Sequence, residues 1–586
     1  MGKGSVDRRL FLGAGASLTA LTVSGCGFNG GSSSETSESD GDADSSGPSG
    51  SIRFAHGSTI DSLDPHYVNQ AMIVVPSGLL EGLVLANEDN TDVVPGAAES
   101  WEMSEDGTVY TFTMRSGAVW SNGDPVTAQD AEWSFQRLLS PTGASTNYAV
   151  GASSYLTGLG IKGATDHLSG TNEDWESVGI SAPDEQTLVV ELDAPNADFL
   201  LLMSHYSMLL VHPPSVEEDS EEWMLPENWV GNGAYVLESW EPTASIRMRA
   251  NESYWDYDNV GVQEVELVLG MDRTAAMASF GSQDLDLVVA DATTVDQRDD
   301  LADQTVEIEG YSVVYLQRMW GGHEASQDVN VRRALSMALD REAIASVSAG
   351  DTAGTTLIPG NVVPGWDESV AISFDPDRAR DLMAEAGLTD VPNLRIQFSI
   401  DEPWLPVVAD QWEEVFGTTV SVDIVEGGVH GETRWQPYDD EETISFYAGR
   451  FSGISTMSNW VNNIFGPDYV MQFSLSTSEW LQYQELEEDE SLDDAERAGA
   501  LDAFLREHAD SDAVRFADLA GQARSTVDDA ERLATFLEAV QIREDLANTL
   551  PIAWSSRVLL AGDYISGFEP RPSPEVCYYK YLTVDE

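Results

Sequence analysis

Apolar and polar residues alternate with period two over Val109-Tyr110-Thr111-Phe112-Thr113-Met114 and over Leu188-Val189-Val190-Glu191-Leu192, which predicts two strands. Elsewhere the period lengthens to that of a helix. Thr127 and Asp130 precede Ala131, Phe135 and Leu138, the arrangement of a capped amphipathic helix. Asp375-Pro376 opens another helix through RARDLMAEA, and Gly387 closes it. Residues 328–345, DVNVRRALSMALDREAIA, also space their apolar side chains helically. Gly123-Asp124-Pro125 reads as a turn. Trp101, Trp120 and Trp133 read as core and turn positions. Strand and helix signals interleave throughout, so the predicted class is α/β with mixed sheets.

The N-terminus breaks the pattern. Residues 7–27, DRRLFLGAGASLTALTVSGCG, place an apolar stretch behind paired arginines. Leu10 to Val23 is shorter than the roughly 20 residues of a membrane span and reads as an export signal. Asp7-Arg8-Arg9-Leu10-Phe11-Leu12 resembles a twin-arginine signal, and Val23-Ser24-Gly25-Cys26 resembles a lipobox whose cysteine is lipidated. Residues 1–26 are therefore expected to be a lipoprotein signal peptide ending at lipidated Cys26. Residues 27–50, rich in Gly, Ser and acids, cannot bury apolar surface and are expected to form a disordered tether. The expected location is the extracellular face of the cell membrane, held there by lipid.

Charge sharpens the picture. The 586 residues carry 101 acids against 29 basic residues, a formal charge of -72. Lysine occurs only at Lys3, Lys162 and Lys580. Such repulsion is tolerable where salt screens it to roughly 3 Å at 1 M, so an extreme halophile is the expected source. The 42% hydrophobic content and 16 tryptophans exclude an acidic disordered chain. Nucleic acid is excluded as a partner by the sign of the charge. With Cys26 lipidated, no intrachain disulfide can form with Cys577. The chain beyond residue 50 is too long for one core and suits two or three domains.

Enzyme signatures are absent: no GxSxG, HExxH, P-loop or zinc-spaced Cys/His set occurs. His205 and His212, seven apart, could share a helix face, but a structural role is the expectation. Arg332 and Arg333 are expected to pair with surface acids, and the acidic run Glu485 to Glu496 to be a solvated helix face. No enzymatic activity, cofactor or metal is expected.

Several segments follow one another in an order that identifies a family. They are SLDPHYVNQ (62–70), LLEGLVLAN (79–87), PGAAESWEMSEDGTVYTFTMRSGAVWSNGDPVTAQDAEWSFQRLLSP (95–141), VGNGAYVLESW (230–240), NESYWDYDNV (251–260), DVNVRRALSMALDREAI (328–344) and FDPDRARDLMAEAG (374–387). Together they resemble the family 5 extracellular solute-binding proteins, the oligopeptide- and dipeptide-binding components of ABC importers. The resemblance runs from Ser51 to the C-terminus, is most specific over 95–141, and weakens across 405–530. It implies a two-lobed, hinged, periplasmic-binding-protein-like α/β fold with an extra domain inserted in lobe I. Carried over, lobe I comprises 51–80, 195–305 and 553–586, the inserted subdomain 81–194, and lobe II 306–552. Ligand would lie between the lobes, and closure would be read by the ABC permease in the membrane. A monomer is expected.

The resemblance also implies ligand residues: Asn69 in a cleft loop, Tyr148 over the ligand, and Trp554 in the returning segment after LPIA. Trp404 is added from a segment that aligns poorly. For each aromatic the alternative is ordinary core packing. Relatives carry an Ala-Gly-Trp-like stretch followed by an aspartate that holds a peptide's ammonium. Here Phe446-Tyr447-Ala448-Gly449-Arg450-Phe451-Ser452-Gly453 places Arg450 at the tryptophan and Gly453 at the aspartate, and no acid occurs between Gly449 and Asp468. Arg450, with Phe451 beside it, would instead hold a carboxylate, phosphate or sugar hydroxyl through its planar fork. The alternative is a slipped register in which Arg450 pairs with a surface acid. The expected ligand is peptide-like, with blocked or acidic peptides favoured over free-amine dipeptides. An oligosaccharide or organic anion is the alternative ligand, and an exported hydrolase the alternative class.

Overall fold

The computed structural model describes residues 49–585 except 58, 67–77, 88–91, 141–155, 157, 291, 293–294, 296–297, 349, 360–369, 453–456, 490, 493, 527 and 569–576. Its backbone is an eleven-stranded sheet. In chain order the strands are β1 (Ser51–His56), β2 (Tyr235–Glu241), β3 (Ser245–Ala250), β4 (Glu264–Leu269) and β5 (Leu287–Val289). They continue with β6 (Thr305–Arg318), β7 (Asp351–Ala353), β8 (Asn393–Phe398), β9 (Val420–Ile424), β10 (Thr443–Ser452) and β11 (Thr549–Ala561). The spatial order is β9-β8-β10-β6-β11-β5-β1-β4-β3-β2, with β7 pairing β11 off this path. β1 runs parallel to β4 and β5 in lobe I, and β8 runs parallel to β9 and β10 in lobe II.

The two lobes meet through β6 and β11. β11 reads TLPIAWSSRVLLA, a nearly unbroken apolar run, because both of its faces are covered. Its antiparallel pairing with β6 has a break in register between Ile308 and Ser312, where the two strands pass from one lobe to the other. Within lobe II the period of two divides β6 between two cores. Val313 and Tyr315 face one core with Trp554, and Val314 and Leu316 face the other with Ala553. The boundaries expected at 305/306 and 552/553 therefore fall on β6 and β11 themselves. Lobe I has one apolar cluster joining Ile52 and Tyr235 to Phe112, Trp120 and Leu188 of the expected inserted segment and to Leu582 near the chain end. That segment carries its own four-stranded sheet from Ala98–Met103, Val109–Met114, Thr187–Glu191 and Ile180–Asp184. No helix among the described residues is long and apolar enough to cross a membrane.

Local signals fix most elements. Helix α1 (Ala128–Leu138) opens on a capping box. The Asp130 N–H donates to Thr127 Oγ1 at 3.2 Å, and Asp130 Oδ2 accepts from the Thr127 N–H at 2.9 Å. Helix α2 spans Arg273–Gly281. Residues 328–345 form two helices rather than one, α3 (Val329–Met337) and α4 (Arg341–Ala345). Asp340 breaks the run because its side chain accepts the Ala343 N–H at 3.1 Å and starts a new helix. Helix α5 (Pro376–Glu385) begins at Asp375 and gives way at Gly387, whose φ is +80. Helices α6 (Trp404–Phe416) and α7 (Gly427–Thr433) complete the framework of the site.

Several expectations need correction. Arg332 is buried and donates to the carbonyls of Leu546, Ser326 and Gln327 instead of to surface acids, since a guanidinium satisfies several helix-end and loop carbonyls at once. Its neighbour Arg333 does pair with Asp545. His205 and His212 share no helix face; each stands at the start of a separate short helical turn, bonding Ser207 Oγ at 2.7 Å and Ser215 Oγ at 2.8 Å. The acidic run 485–496 spans the end of helix Thr477–Glu487, a connection, and the start of helix Asp494–His508, so it is not one helix face. Trp120 is fully buried with its indole N–H on Asp130, whereas Trp101 and Trp133 are half-buried.

Candidate ligand site

In open α/β sheets ligands bind beyond the carboxyl ends of parallel strands. Here the segments leaving those ends in both lobes converge on one cavity of about 420 Å³. Lobe I supplies Arg273 after β4, and Ala290 and Ala292 after β5. Lobe II supplies Glu402 and Pro403 after β8, Arg450 from β10 and Asp351 from β7. Ser312 of β6 and Ser555 of β11, the two crossing strands, also line it. Local chemistry sets these positions. Gly270, at φ +67, turns the chain out of β4, and Asp272 caps α2 by accepting the Ala275 N–H at 3.0 Å, which makes Arg273 the first helical residue. Pro403 starts α6 and leaves Glu402 at the helix entrance.

The cavity is charged. Arg450 Nη2 lies 3.3 Å from Glu402 Oε1, with Arg450 42% and Glu402 18% exposed. Burial raises the pKa of Asp351 above the usual carboxylate value; the charge of Arg450 opposes the rise and that of Glu402 adds to it. Among the described residues neither Asp351 nor Arg273 makes an ion pair, and no cluster of His, Cys, Asp and Glu is placed to hold a metal ion.

The structure distributes the expected ligand residues unequally. Arg450 lines the cavity and pairs there with Glu402. Phe451, one residue on, points to the other sheet face and lies 6.3 Å from Phe465, because successive strand residues face opposite ways. Trp554 is on that same side, buried, with its indole N–H on the Thr356 carbonyl at 2.8 Å. Trp404 is a core residue, fully buried and 6.0 Å from Phe398; α6 turns it inward while its neighbours Glu402 and Pro403 line the cavity. Asn69, Tyr148, Gly453 and Cys26 lie outside the described residues.

A further cation, outside the lining of this cavity, was not anticipated from the sequence. Arg434, just past α7, lies 4.9 Å from the Trp435 ring centroid, 5.4 Å from Tyr447 and 6.0 Å from Tyr469. It donates to Gln317 Oε1 at 3.3 Å and Tyr315 Oη at 3.4 Å, and has no acidic partner among the described residues. Burial disfavours its charge, but the hydroxyls of Tyr315, Tyr469 and Tyr447 outweigh this and raise its pKa. Gly449 makes this packing possible, since a Cβ there would sit 2.5 Å from the Tyr315 ring. Asp351, Glu402, Arg273 and Arg434 had no distinguishing sequence signal, the two acids being hidden among 101.

Residues 92–481 match the model of the bacterial extracellular solute-binding proteins, family 5, middle region. The chain is 27% identical over 511 residues to the dipeptide-binding protein DppE of Bacillus subtilis (strain 168), covering 85% of each chain. It is 26% identical over 552 residues to the probable deoxycholate-binding periplasmic protein YgiS of Escherichia coli (strain K12), covering 91% of this chain and 93% of that one. In fold it resembles the Haemophilus influenzae OppA complex with the peptide RPPGFSPFR, with a TM-score of 0.67 at 22% identity over 92% of this chain and 99% of that one.

Proposed function

The chain belongs to the bacterial extracellular solute-binding proteins, family 5, and from that membership we propose that it is the substrate-binding lipoprotein of an ABC importer. It captures a peptide-like solute between its lobes and delivers it to the membrane permease. The observation that carries this reading is the cavity at the carboxyl ends of both lobes' parallel strands, walled by each lobe and lined by β6 and β11. Contacts made to both walls exist only when the lobes are closed, so ligand shifts the population toward closure. The name of the relative DppE supports a peptide as the ligand class. An organic anion is the second reading, favoured by Arg273 and Arg450 in the cavity and by the name of the relative YgiS.

A cognate ligand at 100 times its Kd should stabilise the folded protein by about 2.7 kcal/mol, read as a thermal shift in concentrated salt. Sustained chemical turnover of that ligand would identify a hydrolase instead.

The lipobox reading makes Cys26 the anchor and the acidic tract 27–50 the tether. Cys26→Ala should release the exported protein from the membrane into the medium, because no other lipid attachment is expected. Retention of Cys26→Ala in the membrane fraction at the wild-type level would exclude the anchor.

A further inference from the structure

Lobe II buries five arginines among the described residues: Arg318, Arg332, Arg341, Arg395 and Arg543. Four have an acid to answer the charge. Arg395 pairs with Asp423 at 2.6 Å, and Arg543 with Glu544 at 3.1 Å. Asp510 and Asp328 favour the charge of Arg332, and Glu544 favours that of Arg341. Arg318 makes no ion pair among the described residues. Burial, and after it the like charge of Arg332, lowers its pKa to about 9, so it stays protonated at neutral pH.

Arg318 ends β6 and is fully buried. Its Nη2 donates to the carbonyls of Phe473 at 2.5 Å and Leu475 at 3.3 Å, just past helix Pro467–Gln472. Its Nε and Nη1 have no hydrogen-bond partner among the described residues. Asn548 lies beside it, its carbonyl accepting the Arg318 N–H at 2.9 Å. The side-chain amide of Asn548 is buried too, and neither of its polar atoms is partnered among the described residues. Carbonyl dipoles offset part of the guanidinium charge but supply no full countercharge, and each unmade buried hydrogen bond adds to the cost.

We propose that Arg318 and Asn548 form an internal halide site, in which a chloride or bromide ion accepts from an unpaired N–H of the guanidinium and from the Asn548 amide. A water molecule would fill the hydrogen bonds and leave the charge unanswered, whereas an anion meets both needs. The surroundings select its size. Phe446, in register with Arg318 on β10, is fully buried, as are Phe473 and Leu475, so the site suits a monatomic ion better than a carboxylate or phosphate. Arg318 and Asn548 stand outside the lining of the interlobe cavity, so the ion acts on the stability of lobe II. Stability then depends on which anion the salt supplies as well as on ionic strength.

The test uses the intact purified protein in concentrated potassium acetate, with chloride replacing acetate at constant potassium. The melting temperature of wild type should climb with the logarithm of chloride concentration once past the Kd, because the ion binds only the folded form. General salt effects predict the opposite sign, since acetate is the better excluded anion. Arg318→Met should lose the chloride response. Crystals grown in bromide should show an anomalous peak in hydrogen-bond contact with the Arg318 guanidinium. A melting temperature that falls or stays level as chloride replaces acetate overturns the inference. So do bromide peaks confined to the protein surface, or an Arg318→Met variant that keeps the response. The titration and the bromide map are read on wild type and need no variant to fold.

Discussion

Moved from about 3 M KCl to about 0.1 M, the protein should unfold, as the screening length grows from under about 3 Å to about 10 Å. With 101 acids and 29 basic residues, 72 carboxylates cannot have a basic partner of their own. Most of the pairs that do form are exposed, such as Arg378–Glu385 and Arg515–Glu538, and contribute little each. Between these pairs the surface is a field of one sign that only mobile cations neutralise. Circular dichroism along a salt titration checks this. A native spectrum retained in low-salt buffer would remove the argument for a halophilic origin.

The second large effect is expected at Glu81, which is fully buried where the first part of lobe I passes into the expected inserted segment. Its carboxylate accepts the Tyr254 hydroxyl at 2.6 Å and the Trp255 indole N–H at 2.8 Å. The ammonium of Lys580, also buried, stands 4.0 Å away and donates to Tyr254 Oη at 3.0 Å. Burial raises the Glu81 pKa, and Lys580 pulls it back. Glu81→Ala removes the acid and leaves Lys580 buried without it, which should destabilise the fold by about 3–5 kcal/mol. The pair Glu81→Ala with Lys580→Met should recover part of that loss, because no uncompensated charge remains. Denaturant unfolding in high salt measures both. A single variant within about 1 kcal/mol of wild type would show that the cluster contributes little.

Sequence reached the local elements and one residue of the site. The capping box at Thr127 and Asp130, the glycine stop at Gly387 and the two alternating strands are chemistry between near neighbours, and the structure carries them as expected. The break at Asp340 was hidden because the apolar spacing continues through it, although the cap starts a new helix. Strand order was beyond reach, since β6 and β11 pair across more than two hundred residues. In the site, Arg450 was legible because it departs from a motif, and it does line the cavity. Its neighbour Phe451 is carried to the other face by the alternation of the strand. Trp404 fitted the pattern of an aromatic wall but is taken by the core, two residues along the chain from Glu402. Asp351 was out of reach because it enters the cavity from β7, a strand whose partner β11 lies far along the chain.

The placement of β11 also bears on how a nascent chain matures. β5 has only β1 and β11 as neighbours, so until residues 549–561 leave the ribosome it presents a bare sheet edge. Tyr579 and Leu582, made long after Ile52, belong to the same apolar cluster as that residue. At about 5–20 residues per second, the first half of the molecule waits on the order of tens of seconds for its closing strand. Its native packing is therefore achieved only after that strand has been made, in whichever compartment the chain then occupies. Were the chain exported already folded, as the resemblance of residues 7–12 to a twin-arginine signal implies, that compartment would be the cytoplasm, whose salt would have to screen the carboxylates before the medium outside did.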